Sequence, residues 1–72
     1  MELEKNVQQE RMMKWFAFDH LPEHLKLASR GFYVLACDIC SMIEAGPERT
    51  VALRKLLEAK DAAVRAKLHP GG

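Results

Sequence analysis

The chain has 72 residues, 49% hydrophobic and 29% charged, with only four Gly and three Pro; that is the composition of one small helical domain and excludes disordered and collagen-like classes. Eleven Lys and Arg against ten Asp and Glu leave a net charge of +1, so nothing electrostatic favours DNA or an anionic membrane as the main partner, and any bound anion must be held locally. A domain this short buries only about 60% of its unfolded surface, and self-association is one of the usual supplements to such a core.

The first predicted element is a helix reaching from about Leu3 to Phe16, within an N-terminal segment 1–16. Its first half is polar, whereas Met12, Met13, Trp15 and Phe16 crowd its end, so it is expected to dock by that end. The acidic start Met1-Glu2-Leu3-Glu4 is unlike a cationic leader, and no apolar run approaches the ~20 residues of a membrane span. These features predict a soluble, cytosolic chain. Residues 17–21 read as a connector, because the residue before Pro22 is pushed out of the α region and Pro22 suits a helix start.

A helical hairpin is predicted over 22–68. From Pro22 to about Ala45, Leu25, Ala28, Phe32, Leu35, Ala36, Ile39 and Ile43 recur at steps that suit one helical face. Leu27 and Val34 fall on the opposite side, with Tyr33 and Cys37 between, which is more apolar surface than one partner helix covers. Gly31 in mid-helix suggests the close approach of another backbone or a ligand. Gly46-Pro47 ends this helix and opens the next, with Glu48 favourable to the helix dipole. The short turn makes the pair antiparallel. In the second hairpin helix Leu53, Leu56, Leu57, Val64 and Leu68 form the apolar stripe, while Arg54, Glu58, Asp61 and Arg65 lie on the polar side, where a solvated ladder is the plain reading. His69 to Gly72 form a tail expected to fray.

Candidate chemistry is sparse. Cys37 and Cys40 are spaced C-x-x-C and, with His20 and His24, make up a Cys₂His₂ ligand set on paper; yet the cysteines sit within a helix and the histidines straddle a proline boundary, so reduced thiols and no metal or other cofactor are expected. No nucleophile elbow, P-loop or dinucleotide fingerprint is present, and no catalytic activity is expected. What remains is a pairing of aromatics, Phe16, Phe18 and Tyr33, with Lys26, Arg30, Arg49 and Arg54 and the hydroxyls of Ser29 and Thr50. Rings stack on nucleobases, and Arg or Lys with a hydroxyl holds phosphate; the same residues also serve ordinary cores and solvated surfaces.

The run from Gly46 through Glu48-Arg49-Thr50, Ala52-Leu53 and Leu57-Glu58-Ala59 resembles the second helix of the hairpin domain shared by phage anti-CBASS and anti-Thoeris sponge proteins. Phe16-Ala17-Phe18-Asp19-His20-Leu21-Pro22 is similar to that family's aromatic stretch followed by His and Pro, and Leu25 to Ile43 to its first hairpin helix, so the resemblance spans roughly residues 16–66. It implies an all-α fold, an N-terminal helix plus an antiparallel hairpin, assembled as a compact homo-oligomer, commonly a hexamer, with pockets between protomers. It further implies a non-enzymatic protein that sequesters cyclic dinucleotides, and cyclic trinucleotides as well, in the cytoplasm of an infected bacterial host. Carried onto this sequence, Phe18 stacks on a base and Lys26, Ser29 or Arg30 contacts phosphate; Phe16, His20 and Tyr33 are further candidate ligand-binding residues. Glu48, Arg49, Thr50 and Arg54 line a second kind of pocket at the hairpin tip. A structural or regulatory phage module whose oligomer binds a protein is the alternative.

Overall fold

The computed structural model describes residues 10–72. A short 3₁₀ helix, Arg11–Phe16, leads through the connector into α1, Glu23–Met42, which turns at Gly46 into α2, Pro47–Leu68. The described chain is all-helical, and α1 and α2 form the antiparallel hairpin across which the 3₁₀ helix packs.

The helix expected over residues 3–16 is corrected over its described part, and residues 3–9 lie outside the described residues. Residues 11–16 adopt the tighter 3₁₀ winding, which brings residues three apart onto one line. Met13 and Phe16 use that register to enter the core together, and Trp15 is left facing outward. Glu10 caps the element, one carboxylate oxygen accepting from the Met12 N–H at 3.3 Å. The Ala17 N–H closes the last turn on the Lys14 carbonyl.

Pro22 lies just outside α1, extended in ψ, and its carbonyl accepts from the N–H groups of Leu25 and Lys26. The helix therefore begins one residue later than expected. It also ends earlier, because Ile43 is extended rather than helical, which places Glu44 and Ala45 in the turn. Pro47 opens α2 at a position where no backbone donor is needed, and Gly46 ahead of it is in an extended conformation.

Met13, Phe16, Ala36, Cys40 and Leu53 form the buried centre, with Phe32, Tyr33, Ile39, Leu56 and Leu57 packed around it. On α1 the buried line is Leu25, Ser29, Ala36 and Cys40, so the inward face is rotated from the one expected. Leu35 and Ile43, predicted to face inward, are exposed, as are Leu27, Val34 and Met42. At about 100° per residue, Leu27, Gly31, Val34, Leu35 and Met42 share the side of α1 opposite the core. A Cβ added at Gly31 meets nothing within 4 Å among the described residues. Leu68, predicted in the second helix's stripe, is also exposed.

Candidate functional site

A cleft of about 480 Å³ lies among the 3₁₀ helix, the connector, α1 and α2. The 3₁₀ helix contributes Lys14 and Trp15, the connector Ala17, His20 and Leu21, α1 contributes Ser29, and α2 lends Lys60, Asp61, Val64 and Arg65. The α2 residues converge because spacings of three and four residues put them on one helical side. Ser29 reaches the floor because it stands one turn after buried Leu25 on the inward line of α1.

Among the described residues the cleft is cationic on balance: Lys14, Lys60 and Arg65 line it with one carboxylate, Asp61. Lys60 Nζ lies 3.0 Å from Asp61 Oδ1, and its side chain is only 14% exposed, so the pair is held at the wall rather than in bulk water. Lys14 Nζ sits 4.9 Å from the centroid of the Trp15 ring, a cation–π distance. Ser29 is 1% exposed, and its Oγ has no hydrogen-bond partner among the described residues. A buried hydroxyl left in that state is unusual and calls for an explanation.

His20 and Ser29 are the two expected site residues that meet in this cleft. Phe18 and Tyr33 meet elsewhere, edge to face, with centroids 5.4 Å apart and planes at 61°. Tyr33 lies on one flank of α1 at helical spacing from Lys26 and Arg30, between the core and the uncovered apolar side. Lys26 is paired loosely with Glu23 at 3.7 Å, and Arg30 is exposed. The Cys37 side chain raises the Tyr33 phenol above its ordinary value, and burial and the Asp19 carboxylate push the same way.

Two expected contacts are corrected for the single chain. Phe16 is fully buried, because 3₁₀ winding turns its ring into the centre and away from any surface a ligand reaches. Arg49 is buried as well. Its Nη2 lies 2.7 Å from Glu10 Oε2, while Nη1 donates to the carbonyls of Ile43 at 2.8 Å and Cys40 at 3.3 Å. The guanidinium thus closes the open C-terminal end of α1 and ties it to the start of the 3₁₀ helix. Thr50 Oγ1 donates to the Gly46 carbonyl at 3.1 Å, which uses its proton within α2. Glu48 and Arg54 are exposed at the tip and along α2.

Sequence reasoning missed Trp15, Lys14, Lys60 and Arg65 as cleft residues, and Glu10 as the partner of Arg49. The only advance signal for the α2 residues was their spacing. Cys40 is buried and Cys37 half-buried, and no disulfide links them in the described chain. Burial pushes the Cys40 thiol above its ordinary value, opposed by Arg49 and reinforced by Glu10 and Cys37. Among the described residues no group of three His, Cys, Asp or Glu side chains is placed to hold a metal ion, and no helix is long and apolar enough to cross a membrane. Comparison of the chain with protein-family models, curated proteins and solved structures finds no match.

Proposed function

We propose that this chain is a non-catalytic, homo-oligomeric binder of cyclic di- and trinucleotides, a phage sponge that withdraws second messengers from CBASS-type, and also Thoeris-type, defence in the cytoplasm of the infected bacterium. The sequence resemblance over residues 16–66 motivates the reading. The observation that carries it is the Phe18–Tyr33 pair, set on the flank of α1 that also bears Lys26 and Arg30. Two partly exposed rings beside two cations suit a ligand that alternates flat bases with phosphates.

The flank borders an apolar side that one chain leaves uncovered, with Leu27 76% and Met42 73% exposed. Burying such side chains is worth about 1.5–3 kcal/mol each, and a second copy of the chain is the occupant this reading assigns, as part of a hexamer. A ligand bound on the flank then lies at the edge of a protomer interface. With Phe16 and Arg49 engaged inside the chain, the proposed contacts are Phe18, Lys26, Arg30 and Tyr33, with Glu48 and Arg54 as the accessible groups of the second region.

Isothermal calorimetry with a panel of cyclic di- and trinucleotides tests the reading, with the recovered ligand checked by mass spectrometry for intactness. Wild type is expected to bind at least one ring and return it unchanged. Phe18→Ala is expected to lose about 1–3 kcal/mol of affinity, the range for removing one stacking platform. A folded wild-type protein that binds none of the rings contradicts the proposal.

A further inference from the structure

We infer that the cleft between the connector and α2 is a separate binding site for a nucleoside phosphate, complete within one protomer. This goes beyond the sponge reading, which uses the Phe18–Tyr33 flank and protomer contacts. The cleft draws only on residues of a single chain, and most of them play no part in that flank.

The chemistry of the walls narrows the ligand. Ser29 lines the cleft with its hydroxyl buried and without a partner among the described residues, and an acceptor oxygen of a ligand satisfies it once the cleft opens around that ligand. Three cations against one carboxylate among the described residues make that oxygen part of an anion. Arg65 offers a planar fork and Lys60 a point charge, a combination suited to a phosphoryl group with several acceptor oxygens. Asp61, 3.0 Å from Lys60, holds that ammonium at the wall.

At the mouth stands Trp15, 57% exposed although it is the largest side chain in the protein. Lys14 is drawn over its ring. An exposed indole beside a phosphate-binding floor is a platform for a flat ring, and a base joined to a phosphate through a sugar spans the two. The cleft volume of about 480 Å³ lies in the range of roughly 300–1,000 Å³ typical of small-molecule sites. One nucleotide unit satisfies both ends, whether it arrives as a free nucleoside monophosphate or as one unit of a cyclic oligonucleotide.

Trp15 is the single tryptophan of the chain and reports on its own site. The experiment titrates the full chain with AMP and GMP, with adenosine and inorganic phosphate as partial ligands and a cyclic dinucleotide as the second source, reading Trp15 fluorescence. A saturable change is expected with a monophosphate, about tenfold or more tighter than with adenosine or inorganic phosphate. Ser29→Ala and Lys60→Gln are each expected to weaken it about tenfold, the loss of one charge-assisted or buried hydrogen bond, while Phe18→Ala leaves it unchanged. Circular dichroism confirms that each variant is folded.

Cyclic dinucleotide binding that Ser29→Ala also weakens supports the cleft with the ring as the source. If neither monophosphate binds while a cyclic dinucleotide does, and that binding responds to Phe18→Ala but not to Ser29→Ala, the cleft inference is overturned and the sponge proposal stands. Monophosphate binding without binding of any cyclic di- or trinucleotide of the panel supports the cleft and removes the sponge proposal. A response equal for phosphate and monophosphate, insensitive to both cleft variants, also overturns the inference.

Discussion

Replacing Arg49 is expected to be among the most damaging changes available at a charged position of this chain. Its side chain is 4% exposed and that of Glu10 13%, and their 2.7 Å contact joins segments 39 residues apart in sequence. Arg49→Ala removes the cation and leaves a nearly buried carboxylate together with the Ile43 and Cys40 carbonyls that it satisfied. Breaking a buried ion pair from one side typically costs 3–5 kcal/mol. Native domains hold roughly 0.05–0.15 kcal/mol per residue, so the whole stability of a chain this size is about 4–11 kcal/mol. The substitution therefore removes a large part of it. Urea unfolding followed by circular dichroism, repeated at several protein concentrations so that linkage to assembly is visible, gives the number. A double-mutant cycle with Glu10→Gln is expected to show coupling above about 1 kcal/mol. The exposed Lys55–Glu58 pair, at 3.6 Å, serves as the control and is expected to show about 0.3–0.5 kcal/mol. Arg49→Lys is expected to rescue only in part, because the three donors of an ammonium radiate from one atom and do not reproduce the spacing of Nη1 and Nη2 that serve the carbonyls and the carboxylate. A cost below about 1 kcal/mol for Arg49→Ala would refute the reasoning, since that is the range of an exposed pair.

Other consequences follow from the exposed side of α1 and from the shifted groups. Gly31→Ala is expected to stabilise the isolated helix by up to about 1 kcal/mol, because the added Cβ meets nothing among the described residues; a loss of assembly instead would indicate that a second backbone lies there. On the proposed assembly, Val34→Glu is expected to dissociate the copies in sedimentation while leaving the helical content of the chain intact, whereas Glu44→Lys is not. Cys40 and Tyr33 both hold their protons more tightly when folded. The unfolded chain therefore releases them first, and stability is expected to be full below the thiol's ordinary value of 9.0 and to fall as pH rises from there through the folded values. Cys40→Ala is expected to flatten the first part of that fall in unfolding midpoints taken between about pH 8 and 10. In alkylation at neutral pH, Cys37 is expected to react before Cys40, since burial both hides the second thiol and disfavours its thiolate.

The hairpin was legible in the sequence because its signals are local: Pro22 and Pro47 at helix starts, Gly46 at the turn, and leucines at helical spacing. The rotation of α1 was not. Ser29 and Cys40 compete poorly with Leu35 and Ile43 in any hydrophobic count, yet both line the buried face, Cys40 because the 3₁₀ helix packs there with Phe16. A small residue suits a crowded junction better than a leucine, and this preference depends on a neighbour many residues away. Arg49 is the sharper case. An arginine in the first turn of a helix reads as solvated or as an anion ligand; its burial depends on Glu10 and on α1 ending at Met42, neither of which its own surroundings reveal. Among the candidate site residues, the aromatic connector pointed to Phe18 but could not name Tyr33 as its partner. The cleft cations were hidden within what read as an ordinary polar helix side.

Native mass spectrometry of the chain mixed with a cyclic dinucleotide and a cyclic trinucleotide tests the central claim most directly, because it weighs assembly and ligand together. The account predicts a multimer of the 8.2 kDa chain, a hexamer by the resemblance, carrying cyclic nucleotides at their full intact mass. A single-chain species with no nucleotide attached, under conditions where the protein is folded, contradicts it.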